Sequence, residues 1–399
     1  MQYREFLTDA VGASLQYEAP GGWIPAAPPE CIRLHTGYPA PSLVPVDQLA
    51  KTMADVLEGE RDLPLQYLGS PSAARLRGCI EHLMGLRGID VSKDLTLVTS
   101  GSAEAIDLIS RTCLDAASVV AVESPTYMEA IETFHNYTDQ VLSIPIDAEG
   151  LRTDLFENLL VERKSRQLQL PKLVYTIPSF HNPTGVTMSV ERRKHLLQLA
   201  SRFHFLIVED DAYGELYFAN RPITLKELDR EGYVLYLGSL SKVIAPGLRI
   251  GWVTGPSTLI STFDRFKKDL GHPLVEAAVA RYLELGDWNL RITRLREAYR
   301  RRRDVLLGAL TEYMPADVTW VEPQGGYFTW LYIPGVNTLS MLPLALAAGV
   351  SYVAGEHFCV HPKDGIQNLR LSFSYVDEQD LIRGVQRLSD VIKAARRLP

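Results

Sequence analysis

The chain lacks most of the features that assign a protein at a glance. It has only four cysteines, Cys31, Cys79, Cys113 and Cys359, far apart and without a CxxC pair, which argues against a disulfide scaffold or a thiolate metal knot. Its nine histidines form neither an HExxH motif nor a cluster with cysteine at ligand spacing, so no metal site is expected. No apolar run reaches the roughly 18 residues that span a bilayer, and the region LPLALAAGVSYVAG is broken by Pro343 and Gly349. The first residues, MQYREFLTDAVG, show no basic-then-apolar leader. A reducing, cytoplasmic setting without a membrane partner is the expectation.

An excess of basic charge is lacking too. Lys and Arg total 41 against 48 Asp and Glu, a formal charge of −7, so no overall field exists to hold a phosphodiester backbone and no nucleic-acid partner is expected. One basic cluster stands out, Arg291, Arg294, Arg296 and Arg300 to Arg303. It shares a helical periodicity with Leu295, Tyr299 and Leu306 and reads as a solvated helix face or a subunit contact.

What is present is an ordinary globular composition, 46% hydrophobic and 22% charged, in a chain long enough for a sizeable core. Residues 17 to 45 are rich in Pro and Gly and read as an extended arm. From about residue 50, helical patterns alternate with short apolar runs at 95–99, 118–122, 140–144, 173–177, 205–208, 234–237 and 249–253. Most of these runs have no polar alternation, as expected of parallel strands covered by helices on both faces. Long helix candidates follow residue 256, and then strand candidates VTWVEP, YFTWLYI and LRLSFS. The expected architecture is α/β, with an arm over 1–50, a large mostly parallel-sheet domain over 51–285 and a smaller α+β domain over 286–399.

In open α/β sheets, ligands bind beyond the carboxyl ends of the strands. LTLVTS runs into Ser100, Gly101 and Ser102 and then a helix, a turn whose amides and dipole would attract a phosphate, although Ser102 can equally be a helix cap. LVYTIP leads to His181, Asn182 and Pro183, FLIV to Asp210 and Tyr213, and VLYLG to Ser239, Ser241 and Lys242. Singly, these are turn residues, caps and a surface lysine. Together, a lysine nucleophile, a carboxylate, an amide, hydroxyls and Arg249 after successive strands suit one phosphorylated aromatic aldehyde.

At this point the sequence resembles the class I/II, fold-type I pyridoxal-phosphate-dependent aminotransferases, from about residue 32 to 392. The resemblance rests on SLSKVIAPGLRIGW (239–252), FHNPTGVTMS and VEDDAYGELYF, the last two being most similar to the 2-aminoadipate and kynurenine aminotransferase subgroup. It implies pyridoxal 5'-phosphate as cofactor, with Lys242 as the Schiff-base lysine and Asp210 on the pyridine nitrogen. Asn182 and Tyr213 are implied on the phenolate oxygen. Gly101, Ser102, Ala103, Ser239, Ser241 and Arg249 would hold the phosphate, and Tyr127 of ESPTYMEA would stack on the ring. Arg370 of NLRLSFS, with Gly37 of HTGYP and Asn182, would bind the substrate α-carboxylate. Tyr67 of LQYLGSPSAARLRG would reach the phosphate of a neighbouring subunit, implying a homodimer with shared active sites. PQGGYFTW (323–330) resembles a strand entry whose glycines permit close packing.

The resemblance further implies ping-pong transfer from an L-amino acid to a 2-oxo acid, with 2-oxoglutarate as the expected acceptor. The alternative on the same fold is a biosynthetic enzyme of β/γ elimination, substitution or carbon–carbon bond formation. A non-catalytic effector sensor is disfavoured, since nothing before residue 30 reads as a DNA-binding extension. Ala103, Ser72, His181 and Ala354 depart from the family pattern and leave the substrate pocket undefined. His181 reads as a structural neighbour before it reads as a second base.

Overall fold

The computed structural model describes residues 6–7, 21–23, 25–67 and 70–397. Its arm contributes one short strand, β1 (Ile32–Arg33). The apolar runs then form a main sheet from β2 (Asp94–Thr99), β3 (Val119–Ser124), β4 (Val141–Asp147), β5 (Gly150–Leu151), β6 (Pro171–Thr176), β7 (Leu206–Asp210), β8 (Val234–Ser239) and β9 (Gly251–Pro256). The spatial order is β2, β9, β8, β7, β6, β3, β4, β5. Burial explains the unbroken hydrophobicity: every residue of β8 is buried, as are the first five of β3, because helices cover both faces. Leu235 and Leu237 have no exposed surface, and truncating either to alanine should cost about 2–5 kcal/mol.

Strands β4, β3, β6, β7 and β8 pair in parallel. The reading of the sequence as mostly parallel did not distinguish β9, which runs antiparallel to both β8 and β2. This reversal matters for the site. The carboxyl ends of β2, β3, β6, β7 and β8 lie at one edge, and the amino end of β9 returns to that same edge with Arg249 just ahead of it.

The helices begin where their sequences allow. Helix Pro71–Leu86 starts at Ser70, whose hydroxyl accepts from the Ala73 amide, with Pro71 in the first turn. Helix Val190–Phe203 is capped by Ser189 and ends at His204 in the left-handed region. Helix Pro273–Leu285 packs on Val46–Glu60 and Pro71–Leu86, and helix Trp288–Tyr313 packs on Glu378–Ala395.

The C-terminal part adds β10 (Thr319–Trp320), β11 (Phe328–Tyr332), β12 (Val350–Ser351), β13 (Val353–Ala354) and β14 (Asn368–Ser372). An antiparallel sheet runs β10, β11, β14, β13, while β12 pairs in parallel with β1, Ile32 opposite Val350. The arm is thereby fastened to the C-terminal part of the chain.

The arginine cluster is read as a solvated face or subunit contact, and the structure corrects this in part: Arg294, Arg300 and Arg301 are exposed, but the other four turn inward. Arg303 is buried and donates to the Pro323 carbonyl. Arg291 donates to the carbonyls of Val243 and Leu43, and Arg302 to that of Ser374. Arg296 binds the Glu215 carbonyl and carboxylate. These side chains tie helix Trp288–Tyr313 to loops from both halves of the chain. Among the described residues, no helix is long and apolar enough to cross a membrane, and no group of His, Cys, Asp or Glu is placed to hold a metal.

Candidate active site

The sheet edge opens into a cavity of about 470 Å³ lined by Gly37, Ser102, Ala103, Tyr127, Asn182, Asp210, Tyr213, Ser239, Ser241, Lys242, Arg249 and Arg370. Residues from six strand ends and from the arm therefore meet in one volume. Tyr67 does not join them; its side chain is 82% exposed on the surface of the chain. A second cavity, of about 490 Å³, lies between Ser42 to Pro45 and Tyr282 to Leu295 and holds no comparable set of nucleophile, acid and guanidinium.

One end of the cavity is built for an anion. Helix Ser102–Cys113 starts from Gly101 at φ 88°, with no side chain capping its first amides, which leaves the positive helix end free for a ligand. Arg249, also in the left-handed region, crosses this turn and donates to the Ser100 carbonyl at 2.8 Å. A Cβ on Gly101 would lie 2.6 Å from the Arg249 Nη2, and one on Gly251 would lie 2.6 Å from the Gly101 carbonyl carbon and the Ser102 nitrogen. Both glycines are needed for the guanidinium and the helix end to close on one point. The Ser239 hydroxyl accepts from the Ser241 amide at 3.1 Å, holding that turn beside them.

Lys242 follows β8 and reaches into the middle of the cavity, where its Nζ donates to the Gly37 carbonyl at 2.9 Å. Desolvation, helped by the charge of Arg370, pushes its amine down to about 8, so a useful fraction is neutral and nucleophilic near neutral pH. Asp210 ends β7 and is buried; Tyr175 Oη donates to its Oδ2 at 2.8 Å and the Ala212 amide to its Oδ1 at 3.3 Å. Burial pushes this carboxyl up to about 6. A cationic ring nitrogen beside it would supply the missing partner and favour its ionised form.

Arg370, on β14, is buried and donates from Nη1 to Asn182 Oδ1 at 2.8 Å and from Nη2 to the His35 carbonyl at 2.9 Å. Its Nε has no hydrogen-bond partner. An unsatisfied buried donor on a guanidinium is costly unless an anion completes it. Burial pulls its pKa down to about 10, which leaves it charged at neutral pH. The Phe328 ring stacks 4.1 Å from Arg370 Cζ and meets Tyr213 edge-on at 5.7 Å, fixing both groups. Tyr213 is itself buried, and its phenol is pushed well above its ordinary value by desolvation.

Behind this surface lies support that the sequence did not reveal. Glu123, at the end of β3, accepts from Thr176 Oγ1 and the Ile177 amide at 2.7 and 2.8 Å and stands 3.1 Å from His181 Nε2. His181 Nδ1 meets Thr184 Oγ1 at 2.9 Å. His181 is therefore enclosed next to Asn182 and is absent from the cavity lining, which places it as a brace of that turn. Asp211, beside Asp210, pairs with buried Arg87 and accepts from Tyr236 Oη at 2.8 Å. Tyr175, on Asp210, and Glu129, in the cavity wall, escaped sequence reasoning for a common reason: neither lies in a position that its residue type marks out. The glycines of PQGGYFTW do pack tightly, a Cβ on Gly325 falling 2.5 Å from the Leu216 carbonyl oxygen.

A lysine amine, a buried carboxyl and an anion cradle thus line one cavity. The family model of class I and II aminotransferases matches residues 29–388. The chain belongs to that family. This aminotransferase is 40% identical to aromatic-amino-acid aminotransferase 1 of Thermococcus litoralis, over 91% of its own length and 88% of that protein's. The multiple substrate aminotransferase of Thermococcus profundus superposes with a TM-score of 0.92 at 38% identity, each chain fully covered. LysN, the alpha-aminoadipate aminotransferase of Thermus thermophilus, solved with N-(5'-phosphopyridoxyl)-L-leucine, superposes at 0.88 and 32% identity, again with full coverage of both. The fold is fold type I, the reaction is amino-group transfer, and the cofactor is pyridoxal phosphate. The residues present fit that cofactor: the glycine-walled anion cradle suits its phosphate, the buried Asp210 its ring nitrogen and the Lys242 amine its aldehyde.

Proposed function

We propose that this aminotransferase runs a ping-pong cycle between an L-amino acid and a 2-oxo acid at the Lys242 cavity, with 2-oxoglutarate as an acceptor. The observation that carries this reading is the convergence of a lysine amine of lowered pKa, a buried carboxyl and an incompletely satisfied buried arginine on one cavity. When bound, pyridoxal phosphate supplies an aldehyde that takes up the amino group and a ring that withdraws electrons from the bond broken at the substrate Cα.

Each residue then has a distinct task. Lys242 would tether the cofactor through its amine, and that amine, when free, would take up and return the proton at the substrate Cα. An amine with a pKa near 8 serves as both acceptor and donor in that role. Asp210 keeps the ring nitrogen protonated, with Tyr175 fixing its carboxylate. Asn182 and Tyr213 donate to the ring's phenolate oxygen. Arg249, Ser102, Ser239, Ser241 and the amides of Gly101 to Ala103 hold the phosphate, and Tyr127 stacks on the ring. Arg370 binds the α-carboxylate through its planar fork, beside Asn182 and the arm at Gly37.

We further propose a homodimer in which Tyr67 completes the partner's phosphate site; its exposure outside its own cavity supports this. The division into an arm over 1–50, a large domain over 51–285 and a small domain over 286–399 belongs to the same reading. The aromatic side chains Trp23, Tyr38 and Phe328 in the cavity wall, with the name of the Thermococcus litoralis relative, support an aromatic amino donor. Single-turnover mixing of the holoenzyme with phenylalanine or tyrosine tests the proposal. Stoichiometric 2-oxo acid, with borohydride-trapped cofactor mapping to the Lys242 peptide, is the expected result. Release of ammonia, or an adduct on another lysine, would overturn it.

A further inference from the structure

Among the described residues, five charged side chains line the cavity: Asp210, Lys242, Arg249, Arg370 and Glu129. The proposed cycle, on which this inference rests, gives a task to the first four and none to Glu129. Glu129 lies in the first turn of helix Met128–His135, two residues after Tyr127, and one of its carboxylate oxygens accepts a hydrogen bond from the Tyr127 hydroxyl. Its charge is felt at Lys242, Arg370 and Tyr213 alike, so it faces the same volume as the groups that would grip the substrate. A carboxylate in the first helical turn is ordinary dipole chemistry, but one that also lines a substrate cavity acts on whatever enters.

The cations near it are already committed. Arg249 closes on the phosphate cradle, Arg370 on the α-carboxylate, and Lys242 on the cofactor. Among the described lining residues no further basic group remains to neutralise a second carboxylate, while Trp23, Tyr38 and Phe328 offer uncharged surface. We propose that Glu129 is a specificity residue that sorts substrates by side-chain charge, disfavouring a second carboxylate and favouring uncharged, aromatic side chains. Acceptance of 2-oxoglutarate then takes place against this field, and the dicarboxylic half-reaction is the weaker-binding one.

The test separates the charge of Glu129 from its bond to Tyr127. Glu129→Gln removes the charge and keeps an acceptor for the tyrosine; Tyr127→Phe removes the bond and keeps the charge. Calorimetry on the holoenzyme measures dissociation constants for two unreactive acids, glutarate and 3-phenylpropionate. With like charges several ångströms apart in a partly solvated site, Glu129→Gln should tighten glutarate relative to 3-phenylpropionate by on the order of tenfold, and Tyr127→Phe should leave that ratio unchanged. The KM for 2-oxoglutarate should fall in Glu129→Gln by a similar factor. If Glu129→Gln does not fold, Glu129→Ala gives the same reading. An unmoved ratio, a shift toward 3-phenylpropionate, or a Tyr127→Phe variant that reproduces the shift would overturn the proposal. The binding ratio is measured without turnover, so failure of the transamination reading shows separately, as the absence of oxo acid from any amino donor.

Discussion

Replacing Arg370 by lysine keeps the positive charge and removes the fork, which makes it a strict test of the carboxylate site. In the structure Nη1 is held by Asn182 and Nη2 by the His35 carbonyl, while Nε is unpartnered. A guanidinium has five N–H donors and can serve both protein acceptors and a bidentate carboxylate; an ammonium has three and cannot present a planar pair. The substitution therefore removes about one charge-assisted hydrogen bond from the bound substrate, worth roughly 1.5–3 kcal/mol, or about 10- to 150-fold in kcat/KM. The assay compares phenylalanine with 2-phenylethylamine, which lacks the α-carboxylate. Arg370→Lys should lower kcat/KM for the amino acid by that factor and leave that for the amine unchanged, with cofactor absorbance intact. An equal fall for both substrates would mean that the arginine supports the fold or the cofactor, and no fall for either would refute the carboxylate assignment.

Asp210→Asn should still bind cofactor but lose on the order of 10² to 10⁴ in turnover, since an amide cannot hold the ring nitrogen protonated; stopped-flow kinetics retaining full rate would place the acid elsewhere. The Lys242 amine, held at about 8, should make the rate of pyridoxal phosphate recombination with the cofactor-free chain rise up to about that pH and then level, and an inflection near the ordinary lysine value of about 10.4 would refute the desolvation argument. The sign for stability follows: between about 8 and 10.4 the unfolded amine holds more protons than the folded one, so this group makes the cofactor-free fold more stable as pH rises through that window. Mixing Tyr67→Phe with Lys242→Ala should yield heterodimers with one doubly defective and one intact site, restoring activity above either parent if Tyr67→Phe alone is strongly impaired. Verified subunit exchange without such recovery would sink the shared site.

The groups we propose to react were legible because their chemistry coincides with a topological rule. Lys242, Asp210 and Asn182 each follow an apolar run, and a parallel sheet delivers such residues to one edge whatever the details of packing. Arg249 was legible as a residue, but its route was not. The sequence reading began a strand at Arg249, whereas the strand starts at Gly251 and Arg249 occupies a left-handed turn ahead of it. Nothing in a local apolar run reveals whether the strand will pair in parallel or antiparallel, because both faces are covered either way. Only the pairing with β8 and β2 shows why this arginine returns to the edge from which Lys242 departs.

What the sequence hid is of a different physical kind. A cluster of arginines reads as solvated because charge is costly to bury without partners, and the partners here are backbone carbonyls at Leu43, Val243, Pro323 and Ser374, which have no sequence signature. Tyr175 reads as one more strand aromatic until its hydroxyl is seen on Asp210. Glu129 reads as a first-turn acid until the cavity is found in front of it. In each case the residue type fits a bland local role, and its surroundings become visible only in the assembled fold. The catalytic chemistry we propose thus rests on residues that the chain order announces, and the selectivity we infer rests on one whose significance depends on which cations the fold has already committed.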